Sequence, residues 1–367
     1  MEIELKVKDI YQPLQGVIGV VEKRQTLPIL SHVLISLKDK KITLTTTDME
    51  IEISVTNQTI CDADTSFTVY AKDLIDILRN LKEDLKIQII IETYKLYIKA
   101  NKNSFELNTF NSEDFPSLPS VQDYENIQIN KEDLKNLIEK TSFSMGNQDI
   151  RAYLNGLYLE TDNQKITVVA SDGHRLSIGE IKQANNLSNT RSVIIPRKAV
   201  TELTKILNRD INELVTIHLA ENYFFLKSDT VKLVSRLIDG NFPNYSQVIP
   251  TNFDNTVLIN REDFLDSLHQ SAIFVDERNK GVRLKYKNSD LFIFSQSERG
   301  QAKTQITTEN FEKEIEIAFN IQYLISILEK ISSNQIEMVI PSNENNSCLI
   351  SGRDDDKFQY VVMPMRI

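Results

Sequence analysis

The sequence predicts an α+β fold made of three tandem copies of one domain, and three observations carry that expectation. First, Asn130-Lys131-Glu132-Asp133-Leu134-Lys135-Asn136-Leu137 has counterparts at Lys6-Val7-Lys8-Asp9-Ile10-Tyr11 and at Asn260-Arg261-Glu262-Asp263-Phe264-Leu265. Asp9, Asp133 and Asp263 align, each ahead of an apolar series at helical spacing, as at a helix N-terminus. Second, Ala71-Lys72-Asp73-Leu74-Ile75-Asp76-Ile77-Leu78 matches the runs ending at Leu203 and Leu328, and these three leucines fall 125 residues apart each time. Third, the segments between these helices alternate apolar and polar residues and are rich in β-branched side chains. Two helices recurring in one order at one period define an internal repeat.

In repeat one, a strand over Glu2 to Val7 precedes a helix ending near Lys23-Arg24, and Thr26 to Leu30 turns the chain. Strands are expected over Val33–Leu37, Ile42–Thr46 and Ile51–Val55, each with one buried face. The second helix is expected over about Lys72 to Leu81. The strands Ile87–Ile91, Leu96–Ala100 and Ser104–Thr109 follow, and Asp114-Phe115-Pro116 closes the repeat. Repeat two copies this with Leu157–Glu160, Ile166–Ala170, Arg175–Ile178 and a helix over about Arg197 to Asn208, closing at Asn241-Phe242-Pro243. Repeat three ends with the run from Tyr360 to Ile367. Each repeat therefore holds two helices and roughly eight strands. The helices bury one face side by side on antiparallel sheet and leave the other free for display. Boundaries near Pro119–Asp123 and Pro250–Asn255 give domains over 1–122, 123–251 and 252–367.

Composition narrows the function classes. The 41% hydrophobic and 26% charged content is ordinary for a globular protein. Apolar runs such as Ile87-Gln88-Ile89-Ile90-Ile91 are too short to span a bilayer, and the alternating Met1 to Lys8 is not a signal-peptide core. Cys61 and Cys348, in different repeats, fit a reducing cytoplasm and leave no disulfide framework and no readable metal site. No carboxylate pair or phosphate-cradling glycine loop stands out, so no cofactor is expected. The net charge of −10 argues against nucleic-acid binding, yet the expected helices are together net positive by three charges, although those of repeat three are not. Basic helix faces on an acidic chain suit contact with a polyanion on one surface only.

Ser171-Asp172-Gly173-His174-Arg175 suggests a hydrolase through Ser171 and His174. A triad is assembled in space around a strained nucleophile turn, however, and here the residues lie on a strand–turn–strand. Asp48 holds the place of Asp172 in repeat one, where no histidine follows, so the turn is structural in origin.

Five segments then carry a family resemblance over the whole of 1–367. They are Arg24-Gln25-Thr26-Leu27-Pro28-Ile29-Leu30, the run Asp149 to Gly156, Ser171 to Leu176, Asp239-Gly240-Asn241-Phe242-Pro243-Asn244-Tyr245, and Tyr360 to Arg366. In these the chain resembles the β subunit of bacterial DNA polymerase III, the sliding clamp. The resemblance implies three tandem DNA-clamp domains and a head-to-tail homodimer closing a six-domain ring, with helices lining the hole and sheets outside. It implies a processivity factor with no catalytic residue, or a duplicated clamp serving repair or drug resistance. Its partners would be double-stranded DNA bound without sequence preference, a clamp loader, the replicative polymerase α subunit and other proteins with a clamp-binding motif of the glutamine-leucine-x-leucine-phenylalanine type.

The resemblance also implies sites. A partner-peptide cleft would be formed by Leu154, Ser171, Gly173, His174, Arg175, Leu176, Pro243, Gln247 and Val248 with Val361, Val362, Met363, Pro364, Met365 and Arg366. Its apolar, Met-bearing wall suits varied linear motifs. DNA contacts would come from Arg24, Gln148 and Tyr153, and basic residues on or beside the lining helices add Lys72, Arg79, Arg197, Lys198 and Lys205. Ala152 stands where some relatives carry an aromatic, and Gln247 where relatives often carry arginine. The dimer contact would set Phe105 and Leu107 against Ile273 and Phe274.

Overall fold

Six helices recur at the expected places in the computed structural model, which describes residues 1–22, 27–120, 126–184, 189–209, 212–276, 280–309, 313–341 and 346–366. They are α1 (Val7–Val17), α2 (Ala71–Arg79), α3 (Lys131–Thr141), α4 (Arg197–Leu207), α5 (Arg261–Ala272) and α6 (Ile321–Leu328). The recurring motif ahead of three of them is an N-cap. The Asn260 side chain accepts from the backbone N–H groups of Glu262 and Asp263, and Asn130 accepts from that of Glu132 at 2.9 Å. Where repeat one has lysine in place of asparagine, Asp9 accepts from the Lys6 N–H at 3.2 Å. Each arrangement satisfies orphan donors of a first turn.

Helix α2 shows the division of faces. Ala71, Leu74, Ile75 and Leu78 are buried, whereas Lys72, Asp73, Asp76 and Arg79 are exposed. Each buried Leu or Ile contributes roughly 1.5–3 kcal/mol of transfer free energy. Helix α1 packs against α2, and α5 against α6, so in repeats one and three the two helices lie side by side as expected.

Among the described residues there are eight strands per repeat, and all pairings are antiparallel. Each repeat splits its strands into two groups of four. In repeat one, Thr65–Tyr70, His32–Lys38, Lys41–Thr47 and Ile51–Gln58 form one group; Glu2–Lys6, Lys86–Glu92, Lys95–Ala100 and Asn103–Asn108 form the other. Groups from successive repeats join edge to edge. Ile51–Gln58 pairs with Val231–Arg236 of repeat two, Ile53 opposite Leu233. Arg175–Lys182 pairs with Phe358–Val362 of repeat three, Leu176 opposite Val361. Two eight-stranded sheets result, with one four-stranded sheet left in repeat one and another in repeat three. The chain divides into two compact units that cut through repeat two, Met1–Lys135 with Lys198–Leu237, and Asn136–Arg197 with Ile238–Ile367.

Two expectations need correction. Helix α1 stops at Val17, not near Lys23-Arg24, and passes into a 3-10 turn over Ile18–Val20. The Thr46 hydroxyl donates to the Val17 carbonyl at 2.6 Å, and a Cβ on Gly19 would lie 2.4 Å from the Glu202 Oε2. A side chain at 19 would therefore displace the Glu202 carboxylate of α4. The strand Thr65–Tyr70, absent from the sequence reading, pairs with His32–Lys38. Its Thr and Ser positions weaken the apolar alternation that marks a strand.

Candidate functional site

Most of the expected cleft residues converge in the second unit. An open cleft of about 160 Å³ is lined by Leu154, Leu176, Val248, Val361 and Met363 on its apolar side, with Ser171, Gly173, His174, Arg175 and Pro243 at its edges. Strand register explains the apolar wall. Val361 and Leu176 are opposite one another across an antiparallel pair and share one face, as period two requires. They belong to a buried cluster with Val169, Ile178, Val339 and Leu349, onto which Phe242, Tyr245 and Val248 pack.

The turn at the rim is locked by its own polar groups. Asp172 Oδ1 accepts from the His174 and Arg175 N–H groups at 2.9 and 3.0 Å. The Ser171 hydroxyl donates to the Arg175 carbonyl at 2.8 Å and accepts from the Gly173 N–H at 3.0 Å. The one hydroxyl proton is thus given to a carbonyl, so this serine is not set up for attack on an ester. The same turn recurs in repeat one, where Asp48 Oδ1 accepts from Glu50 and Ile51 at 2.9 and 2.7 Å. There Met49 takes the left-handed conformation (φ 75°) that Gly173 takes here (φ 86°). A Cβ at 173 would also lie 2.7 Å from the Arg151 Nη2, so a side chain there would displace that guanidinium.

Arg175 is a strut for this wall. Its guanidinium donates to Asp172 Oδ2 (3.0 Å), Ser326 Oγ (2.6 Å) and the Phe143 carbonyl (2.8 Å), and it lies 4.6 Å above the Tyr323 ring. Arg151 is held by Asp149 through Nε and Nη2 at 3.0 and 2.9 Å. Its guanidinium beside Asp149 draws that carboxyl down to about 2. Both arginines keep their charge engaged at the cleft edge, leaving its floor apolar. Met363 is fixed by its backbone, whose N–H donates to the His174 carbonyl at 2.9 Å.

The remaining expected residues fall elsewhere. Val362 is fully buried on the opposite face of the terminal strand, and the Met365 N–H donates to the Ala318 carbonyl at 2.7 Å; neither they nor Pro364 and Arg366 line the cleft. Gln247 lines an adjoining cavity. Sequence reasoning missed Phe242, Asn244, Tyr245 and Arg151 as lining residues, and it gave Tyr153 to DNA alone. Phe242 stacks on Tyr158 at 4.8 Å, and burial first, then the hydrogen bond to Glu160, pushes the Tyr158 hydroxyl up to about 12. The aromatic cluster Asn241 to Tyr245 was the signal available.

Of the basic candidates, Arg24 lies outside the described residues. Lys72 is exposed, as is Gln148, which adopts a φ of 56°. Arg79 pairs loosely with Asp76 (3.5 Å) and Lys205 with Glu202 (2.7 Å). Lys198 is half-buried and bridges Glu22 and Asp48. Arg197 donates to the carbonyls of Gly146 and Met145 at 3.0 and 2.6 Å. Phe105 and Leu107 are partly buried on the edge strand Asn103–Asn108; Ile273 is 61% exposed, and Phe274 lies against Gly300.

A threefold α+β repeat with half-sheets joined between repeats, carrying an apolar cleft walled by its own last strand, defines a clamp-type binding protein. The chain belongs to the DNA polymerase III beta subunit family. Family models for the N-terminal, central and C-terminal domains of that subunit match residues 1–119, 128–244 and 246–366. The chain is similar to the beta sliding clamps of Pseudomonas aeruginosa (35% identity) and Haemophilus influenzae (33%), covering 100% of each chain in both cases. The crystal structure of the Pseudomonas aeruginosa sliding clamp bound to griselimycin superposes with a TM-score of 0.95 at 34% identity, again over 100% of both chains.

Proposed function

We propose that this chain is a DNA polymerase processivity factor, a homodimeric ring that encircles duplex DNA and tethers the replicative polymerase, the clamp loader and other motif-bearing proteins through the cleft. The sheet pattern carries this reading. Each repeat supplies two groups of four strands, and two of the three possible joints are made within the chain. The unmade joint leaves Asn103–Asn108 and Gly300–Thr307 as edge strands of the two four-stranded sheets. An edge strand offers unpaired backbone groups to another chain. Joining this edge of repeat one to that edge of repeat three in a second copy repeats the internal joints and produces a closed head-to-tail ring. The domains in this reading are 1–122, 123–251 and 252–367.

A ring holds duplex by topology, so tight contact is unnecessary. The pairing of Lys198 and Lys205 with carboxylates fits that economy, since a basic group already neutralised releases fewer counterions from DNA. Lys72, Arg79, Gln148, Tyr153 and Arg24 would supply weak, sequence-independent contact, and Arg197 would support the loop carrying Gln148. The chemistry belongs to the tethered polymerase. The test is retention: the loaded protein should persist on a circular duplex and leave once the circle is cut. Equal lifetimes on circular and linearised DNA at moderate salt would overturn the ring.

A further inference from the structure

Each joint within the chain is pinned by a contact from a β-turn to the second helix of the next repeat, and the two contacts differ in chemistry. In repeat one the turn carboxylate Asp48 meets Lys198, near the start of α4. In repeat two Arg175, the last residue of the matching turn, lies 4.6 Å above the Tyr323 ring and donates to Ser326 Oγ at 2.6 Å, both on α6. The alignment that sets Leu78, Leu203 and Leu328 together makes Lys198 equivalent to Tyr323, and the same position in α2 is Asp73; Asp76 is the equivalent of Ser326. Both carboxylates are exposed, and Asp76 is held only loosely by Arg79.

Repeat three supplies the third turn. Ser171 lies opposite Leu176 and Ser297 opposite Gly300, so the residue closing the turn is Arg175 in one repeat and Arg299 in the other. The two side chains act alike: Arg175 donates to the Phe143 carbonyl at 2.8 Å and Arg299 to the Ile273 carbonyl at 3.3 Å. Phe143 and Ile273 are themselves equivalent, standing at the same distance beyond the aligned Asp133 and Asp263. Arg299 thus occupies the place from which Arg175 reaches α6, but it is exposed.

We propose that Arg299 helps to close the ring by reaching Asp73 and Asp76 of a second copy, with a polarity opposite to that of the Asp48–Lys198 pair inside the chain. The inference rests on the ring reading. Within the chain an acidic turn meets a basic helix start; at the ring joint a basic turn meets an acidic one. Association in the wrong order would set Arg299 against Lys198, or Asp48 against Asp73, like charge on like. The reversed polarity therefore selects α2 of another copy as the partner of repeat three. Glu298, also exposed, leaves the turn without net charge, so the selectivity resides in the guanidinium that the Ile273 carbonyl holds at the joint.

Sedimentation velocity of the full-length protein over a concentration series reads the dimer. Arg299→Glu should weaken it about tenfold, as should Asp73→Arg, since each change sets like charges together at both joints. An equimolar mixture of the two variants should recover native affinity, because one joint of the mixed ring keeps the native pair and the other carries it swapped. Arg299→Gln, which cannot repel, should fall between the native protein and Arg299→Glu. A mixture no tighter than either variant alone overturns the pairing, as does a charge-reversed variant that dimerises like the native protein. Equal losses in Arg299→Gln and Arg299→Glu would likewise overturn it, leaving Arg299 as a support for its own turn. A native protein that stays monomeric at every concentration would instead sink the ring reading, and this inference with it.

Discussion

Desolvation without a counter-charge holds the His32 imidazole neutral. It is buried between Phe110, at a 4.6 Å ring separation, and the edge of Tyr70, with Nδ1 at 3.2 Å from the Thr68 hydroxyl. Burial lowers its pKa to about 4, against an ordinary histidine value near 6.5. The unfolded chain therefore binds more protons than the folded one between those values, so the stability contribution is complete above about pH 6.5 and shrinks as pH falls towards 4. His32→Gln retains a hydrogen-bonding group but removes the titration. Between pH 7 and pH 5 the native protein should lose roughly 1–2 kcal/mol more than the variant, as read from denaturant midpoints. An equal loss in both would show that the imidazole is hydrated in the folded state. The same logic of position over identity governs Gly173, where the left-handed backbone favours glycine and a side chain would displace the Arg151 guanidinium, whereas its counterpart Met49 carries a side chain on the same backbone.

Period two decides what the terminal strand does. Val361 and Met363 reach the cleft, whereas Val362 between them is fully buried on the other side. Met363→Ala removes apolar area from one wall. Since burying a Met is worth roughly 1.5–3 kcal/mol, peptide affinity should fall about ten- to hundredfold. His174→Ala, at an exposed rim, should cost less. Unchanged affinity in the Met363 variant with its mass intact would move the partner site elsewhere. The element scale also shows what sequence discloses. The six helices were readable because their apolar spacing recurs from repeat to repeat, and at α5 the Asn260 cap coincides with it. The end of α1 was not, because the carbonyl of its last residue, Val17, is taken up by the Thr46 hydroxyl, from a strand well along the chain. The cleft's polar rim was visible in Ser171 to Leu176. Phe242 and Tyr245 needed the fold, since their packing on Tyr158 is a contact between segments far apart in the chain. The pairing of Lys198 was equally hidden, since the carboxylates beside it come from another repeat.

For the whole molecule, the arithmetic of strands is the constraint. Repeat three presents Gly300–Thr307 as an outer strand whose side chains alternate between half-buried and exposed, and repeat one presents Asn103–Asn108 with the same alternation. Phe105 and Leu107 are the apolar members of the latter edge, and Ile273, 61% exposed, stands beside Gly300 through its neighbour Phe274. An unpaired edge strand offers its backbone groups to another chain, and in the proposed ring a second copy would cover both it and Ile273. In solution the chain should therefore have about twice its 42.2 kDa mass. Ile273→Ala with Phe274→Ala removes the central anchors of one side, and because both joints of a head-to-tail ring are equivalent, each is weakened together. Light scattering at decreasing concentration should then show a monomer where the native protein remains dimeric. The cleft uses other strands, so peptide affinity should be retained in that monomer. A double variant that stays dimeric at low concentration would remove these residues from the joint, and a monomer that also loses the peptide would show that the substitution had disturbed the whole third repeat.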